Sequence, residues 1–220
     1  MDPTGSVALL AEQHLEPSAM LRNATHVSSI HGYRVGAHQP NEPRESSSLS
    51  MAMIHGMVED WSVWSSSLDY FSPTMNTYAL ELPWSGQQGP HWSGSAPARV
   101  WLKHAMQHIP TDVDVVVAHS FGALALLQYL CEYGAQDLKG VVLISPFYKP
   151  EVEAFSWDLA RYYMGNFSRF IEDSIRLRAG GRDLAPERLE AVTHKIAEHF
   201  SPYGWFEFMR EIAFSKSRGR

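Results

Sequence analysis

The middle of the chain alternates short apolar runs with segments whose apolar residues recur at helical spacing. Each run has the length of a buried strand, and several are rich in β-branched residues. Short connections between strands and helices predict an α/β fold with a mostly parallel sheet wound by right-handed crossovers. The predicted strands are residues 49–54, 77–82, 113–118 and 139–146, and the predicted helices are residues 61–68, 98–109 and 121–133.

The flanking segments follow different patterns. Residues 1–24 show no periodicity, residues 25–37 predict a small antiparallel hairpin around Gly32, and the polar stretch 39–48 predicts a loop. After residue 150 the pattern is helical only, with a break at Ala179-Gly180-Gly181 and Pro186 in the first turn of a further helix. We therefore expect an irregular segment at 1–24, a core at 25–148 and a helical cap at 149–220.

The composition of the chain argues against several classes of function. A formal charge of −6 and a pI near 6.0 give no positive field for nucleic acid. The one cysteine cannot form an internal disulfide, and the N-terminus lacks the basic and apolar regions of a signal peptide. No stretch has the roughly 20 apolar residues that cross a bilayer. These features predict a cytoplasmic protein without a nucleic-acid or membrane partner.

One pentapeptide stands between a predicted buried strand and a long predicted helix. Its sequence is Ala118-His119-Ser120-Phe121-Gly122. It is a variant of the nucleophile elbow G-x-S-x-G, in which Ala118 replaces the first glycine. Small residues flank the serine because larger side chains would collide in so sharp a turn. The pattern predicts that Ser120 lies at a helix N-terminus, whose partial positive charge favours an anion.

A second motif, His55-Gly56, ends an earlier predicted strand. Glycine there allows the backbone to approach the nucleophile. The N–H groups of Met57 and Phe121 are then candidate donors to an oxyanion.

These residues make the chain resemble the α/β-hydrolase superfamily, over roughly Thr25 to the end and most strongly over Ser50 to Pro146. The resemblance implies that Ser120 attacks an acyl centre, that Met57 and Phe121 form the oxyanion hole, and that His55 is structural. It implies hydrolysis of an ester, thioester or related acyl bond of a small apolar molecule, without a cofactor. One departure is Glu81 to Gly86, which stands where many members have an Asp-x-Pro-Gly-x-Gly turn.

The larger departure concerns the acid and histidine that follow the cap in this superfamily. Neither of the two further strands that carry them is evident after Phe200, so we expect a C-terminally incomplete fold. The alternative function is a truncated or non-catalytic protein that acts as a binding module. The apolar strand at 141–144 would then lie at an open sheet edge, which favours a homodimer or a complementing chain.

Several side chains leave alternatives open. His104 and His108 are four residues apart on a predicted helix but lack the Glu and third ligand of a zinc site, so no metal is expected. His194 and His199 in the cap are candidates for a substitute base. Five tryptophans either pack helices onto the sheet or line an acyl pocket: Trp61, Trp64, Trp84, Trp92 and Trp101.

Overall fold

A six-stranded sheet forms the centre of the computed structural model, which describes residues 24–39, 49–71, 73–85, 88, 91–135, 137–146, 156–180 and 183–214. The strand order is β1-β2-β4-β3-β5-β6, and the pairs among β3, β4, β5 and β6 are parallel. The predicted α/β class is therefore confirmed. The segment 1–23 and most of the predicted loop, 40–48, fall outside these ranges. The strands are β1 (Ala24–Ile30), β2 (Tyr33–Gln39), β3 (Ser50–Ile54), β4 (Asn76–Glu81), β5 (Val115–His119) and β6 (Gly140–Ile144).

Helices connect the strands much as the apolar spacing predicts. A 3₁₀ helix (Trp61–Trp64) runs into α1 (Ser65–Phe71), and a short helix, α2 (Trp92–Ser95), follows β4. The predicted helix at 121–133 has these bounds in the structure. The helices are α1 (Ser65–Phe71), α2 (Trp92–Ser95), α3 (Ala98–Met106), α4 (Phe121–Tyr133), α5 (Trp157–Gly165), α6 (Phe167–Arg178) and α7 (Pro186–Phe214).

The N-terminal hairpin confirms the antiparallel pairing predicted for the sheet edge. β1 and β2 are joined by His31 and Gly32, which both have positive φ, at 51° and 82°. Two consecutive residues with positive φ match the twist of the flanking strands, as in the preferred two-residue hairpin turns. The hairpin extends the sheet because β2 pairs antiparallel with β4.

Two apolar clusters cover the two faces of the sheet. The larger one joins the sheet to α3 and α4 and includes Phe208 and Met209 of α7. The smaller one is formed by Met51, Met53, Leu68 and Ala79, with Trp61 and Trp64 packed against it. Most of the apolar side chains of the central strands are fully buried between these layers.

Two strands are less buried than their composition predicts. In β5 only Val116 and Ala118 are buried, because the other face packs against the smaller cluster and stays partly open. In β6, Val141, Val142 and Ile144 are 39%, 47% and 39% exposed. Within the described residues β6 pairs only with β5, so β-branched composition here does not indicate burial on both faces.

The described residues after β6 are helical. α6 ends before Gly180, which has a φ of 61°, so the predicted break is confirmed. α7 runs from Pro186 to Phe214, so the helix predicted to begin near Pro186 is present. No helix in the described ranges has both the length and the apolar character needed to cross a membrane.

Candidate active site

Ser120 lies in the turn between β5 and α4, where the sequence predicts it. Its φ is 52° and its ψ is −117°, a conformation that is rare for residues other than glycine. Its own N–H donates to the carbonyl of Ile144 at 2.9 Å, which fixes the turn to the end of β6. The expected strained strand-to-helix turn is therefore present, with Ser120 at the N-terminus of a 13-residue helix.

The two small residues of the pentapeptide are required by close packing. A Cβ at Gly122 would lie 2.5 Å from the carbonyl oxygen of His55 and 2.6 Å from Cγ2 of Ile54. Ala118 is completely buried on β5. Gly122 thus brings the start of α4 against the end of β3, and this contact sets the His55-Gly56 segment beside the serine.

The amides that sequence analysis singles out are not used by secondary structure. Within the described residues, no hydrogen bond engages the N–H of Met57 or of Phe121. Over the same ranges the Ser120 hydroxyl has no hydrogen-bond partner either. The candidate site therefore combines an uncommitted serine hydroxyl with two uncommitted backbone N–H groups, and no described side chain is hydrogen bonded to Ser120 as a base.

The segment from His55 to Asp60, here named the His-Gly loop, is held by hydrogen bonds. His55 is completely buried, and its Nδ1–H donates to the carbonyl of Gly56 at 2.8 Å. The His55 carbonyl accepts from Nε1–H of Trp84 at 3.2 Å. Burial lowers the pKa of His55 below its ordinary value, so the ring is neutral with a bare Nε2 that has no partner among the described groups.

Backbone strain concentrates at the carboxyl ends of the parallel strands. Val58, Ser120 and Ser145 have φ values of 57°, 52° and 47°, and each follows the end of β3, β5 or β6. Positive φ is especially unfavourable for a β-branched residue such as Val58. Residues in such conformations persist only where the surrounding structure holds them, and they cluster at functional sites.

Sequence analysis missed one pair of residues at the site. Nδ1–H of His119 donates to Oε2 of Glu59 at 2.9 Å, and the same oxygen accepts the N–H of Gly56 at 2.8 Å. Glu59 follows Gly56 by three residues in the sequence. A carboxylate this close to the His-Gly motif was the signal that could have indicated the pair. The pair joins the His-Gly loop to the elbow.

The histidines considered as alternatives lie elsewhere. His108 donates through Nδ1–H to the His104 carbonyl, and its Nε2 is hydrogen bonded to Ser28 Oγ at 2.9 Å, so this pair is structural. No described cluster of His, Cys, Asp or Glu is suited to a metal. The His194 ring is 75% exposed and lies 3.4 Å from Glu198 rather than against Ser120. The side chain of His199 is outside the described set.

Glu81 and three of the five tryptophans named above have structural roles. Glu81 is buried and accepts from His38 at 2.8 Å, so it ties β4 to β2. Gly86, at the end of that turn, is outside the described residues. Trp84, Trp92 and Trp101 are almost completely buried, which favours the packing interpretation for these three.

The comparisons with known proteins agree with this architecture. A model of the Alpha/beta hydrolase family matches residues 52–216. Similar solved structures include a membrane phospholipase A, a novel bacterial virulence factor, at 16% identity and a TM-score of 0.60, with 93% of this chain and 68% of that chain covered. Another is haloalkane dehalogenase DbeA from Bradyrhizobium elkani, at 16% identity and a TM-score of 0.55, with 88% and 70% covered.

A third similar structure is an alpha/beta hydrolase fold protein from Burkholderia ambifaria, at 14% identity and a TM-score of 0.51, with 88% of this chain and 70% of that chain covered. A search of curated proteins gave no match. Identities this low establish the fold, whereas the family model covers most of the sequence itself. The chain belongs to the alpha/beta hydrolase family.

Proposed function

We propose that this protein is a serine hydrolase in which Ser120 attacks an ester, thioester or related acyl bond of a small apolar molecule. The observation that carries the proposal is the Ser120 turn. Its positive-φ backbone holds the residue between β5 and α4, and the loop that carries Met57 packs directly against it. A strained turn at this position is how the fold exposes a nucleophile.

The proposed reaction has two steps. Ser120 Oγ bonds to the acyl carbon while its proton passes to a base or to solvent, and the carbonyl oxygen becomes an oxyanion that accepts from the Met57 and Phe121 amides. Collapse expels the alcohol or thiol, which takes up a proton, and leaves an acyl ester on Ser120. Water then cleaves this ester and releases the acid.

The nature of the nucleophile favours acyl transfer over the chemistry named for one of the similar structures. Displacement of a halide by a serine hydroxyl would produce an ether, which water does not cleave, so the protein would be consumed in a single turnover. An acyl ester of serine is cleaved by water and regenerates the hydroxyl. A phospholipase, named for another similar structure, also cleaves an ester.

Met57 is the residue of the site that favours an apolar acyl group, because it is only partly buried against the main apolar cluster. Phe121 is completely buried and packs against the rings of Trp84, Trp92 and Phe208, with centroid distances between 5.3 and 5.7 Å. These buried rings support the Ser120 turn and do not line the site. Apolar side chains with a few placed polar groups are typical of small-molecule sites.

A non-catalytic binding module is the second candidate function. The observation that favours it is the Ser120 hydroxyl, which has no hydrogen-bonded base among the described side chains. Without a base a serine hydroxyl is a weak nucleophile near neutral pH, and general-base help is worth about 10²–10⁴-fold. A protein of this kind would hold an acyl compound in the same site without turning it over.

Hydrolysis of short activated esters tests the proposal. We expect slow turnover by the full chain that is lost in Ser120→Ala and retained in Ser174→Ala. Ser174 lies on α6, and its hydroxyl donates to the Phe170 carbonyl of the same helix. Rapid turnover that depends on Ser120 would show that a base lies within these residues, with His199 the first to replace. Absence of both turnover and an acyl-enzyme would favour the binding module.

A further inference from the structure

Two hydrogen bonds of Glu59 connect separate parts of the site. Its Oε2 accepts from the Gly56 N–H at 2.8 Å and from His119 Nδ1–H at 2.9 Å. The Glu59 side chain is only 9% exposed and that of His119 is 28% exposed. Hydrogen bonds to a carboxylate that is largely shielded from water are stronger than neutral ones, so this contact is suited to holding a loop in place.

The pair lies directly beside the nucleophile. The position of a Cβ on Gly56 would be 2.8 Å from Glu59 Oε2, 3.1 Å from His119 Nδ1 and 3.2 Å from Ser120 Cβ. Yet no hydrogen bond joins the Ser120 hydroxyl to His119 or to any other described group. The geometry therefore indicates that the pair acts on the backbone around Ser120 and does not accept its proton.

The backbone that the pair holds is strained. Val58 has a φ of 57°, which a β-branched residue adopts only where its surroundings impose it. On one side, the Val58 N–H donates to the Trp84 carbonyl at 3.0 Å. On the other side, Glu59 fixes the Gly56 N–H and reaches across to the elbow. Met57 lies between these two attachments, so its free N–H is held in one direction.

We propose that Glu59 and His119 are positioning residues that hold the His-Gly loop against the elbow, so that the Met57 and Phe121 amides converge on the same oxyanion. The inference rests on the proposed function, because it assigns a role within that reaction. It predicts that either side chain can be removed without loss of the nucleophile but with loss of rate at Ser120. A displacement of about 1 Å costs up to about 10²-fold in rate.

The test is the second-order rate of Ser120 phosphonylation by a fluorophosphonate, followed by intact mass. We expect Glu59→Ala and His119→Leu to slow it by about tenfold to 10²-fold, and the double variant to be no slower than the slower single variant, because the two act as one unit. His119→Asn keeps a donor near the Nδ1 position and should recover most of the rate, which loss of packing alone does not predict.

Matched controls separate positioning from general destabilisation. Glu132→Ala removes a carboxylate that pairs with Arg99 at 2.6 Å, and His108→Leu removes a hydrogen-bonded histidine near the end of α3. Both should label at the wild-type rate. Should Glu59→Ala fail to fold, Glu59→Gln keeps one oxygen that can accept from both donors but removes the negative charge. Both hydrogen bonds are then weaker, and we expect about threefold to tenfold slowing.

The outcomes distinguish this inference from the proposed function. Folded Glu59 and His119 variants that label at the wild-type rate would overturn the positioning role. If wild-type Ser120 itself is not labelled, the proposed function fails, and hydrogen exchange of the Gly56 amide then decides the contact. Faster exchange in Glu59→Ala and also in His119→Leu would support the pair, and unchanged exchange would overturn it.

Discussion

At the scale of single residues, the site depends on the absence of side chains as much as on their presence. Gly122 allows the His55 carbonyl to pack closely, because a Cβ on residue 122 would lie only 2.5 Å from that carbonyl oxygen. Gly56 leaves room for Glu59, His119 and Ser120, which all have an atom within 3.2 Å of the position that a Cβ on Gly56 would occupy. The strained φ of Ser120 is compatible with the fold only because its neighbours in the pentapeptide are this small.

Replacing Gly122 by Ala should destabilise the protein. The added methyl group meets backbone and a buried Ile54 side chain, neither of which moves easily, so we expect a loss of about 1–3 kcal/mol. Gly165→Ala is the matched control, since nothing lies within 4 Å of its Cβ position. Urea unfolding measures both variants, and equal stabilities would show that the start of α4 is not tightly packed against β3.

His55 should make folding sensitive to acid. Its folded pKa is lowered by burial from the ordinary 6.5, so below that pH the unfolded chain binds a proton that the folded protein does not. Stability therefore falls as pH drops below 6.5. His55→Asn keeps a donor for the Gly56 carbonyl and cannot titrate.

Unfolding free energies between about pH 7 and about pH 5 should thus fall less in His55→Asn than in the wild type. The two proteins are compared by the slope of the unfolding free energy against pH and not by its absolute value, because removal of the ring also changes packing against Trp84. Parallel slopes in the two proteins would mean that His55 is protonated in the folded state.

At the scale of elements, the sequence predicted what depends on local pattern. β5, α4 and the hairpin followed from a β-branched run, a helical stripe and a Gly32 turn. The contact between Glu59 and His119 joins residues 60 positions apart, and no local pattern encodes it. The exposure of β6 was also not readable from its composition, since it depends on which strands lie beside it.

The amino-terminal ends of three strands are tied together by Asp114. Its carboxylate accepts from Lys139 Nζ at 2.7 Å and from the Ser50 N–H at 2.8 Å, which links β5 to β6 and to β3. The Lys139 hydrogen bond, followed by that of Ser50, lowers the pKa of Asp114 below its ordinary 3.8. The stabilisation is present above 3.8 and is lost as the pH falls through the lower folded value.

Asp114→Asn should consequently be less stable than the wild type at neutral pH, with the difference shrinking below pH 3.8. Thermal unfolding across that range measures it. Because Lys139 is well exposed, the difference will be reduced by added salt. A constant gap at all pH values would show that the Asp114 contacts are not electrostatic.

At the scale of the whole molecule, β6 lies at one edge of the sheet that the described strands form, and it is apolar. Val141, Val142 and Ile144 are each more than a third exposed, and no described strand pairs with the outer side of β6. Edges of this kind are normally protected by charges, prolines or bulges. We propose that the chain associates through this edge, with a second copy or a complementing chain, or else aggregates.

Val142→Lys places a charge in the middle of this edge and should suppress the association. Val63→Lys is the control, because Val63 has almost the same exposure, 48% against 47%, but lies on the 3₁₀ helix. Sedimentation over a range of concentrations measures the mass. A wild-type protein that stays monomeric and unfolds cooperatively at high concentration would show that the edge is covered.

The central claim is that Ser120 is the nucleophile, and covalent labelling tests it most directly. Intact protein treated with a fluorophosphonate should gain one adduct, which peptide mass spectrometry places on Ser120 rather than on any other serine. Ser120→Ala should remain unmodified under the same conditions, while Ser174→Ala should react like the wild type. An unmodified wild-type protein, or an adduct that persists in Ser120→Ala, would contradict the claim.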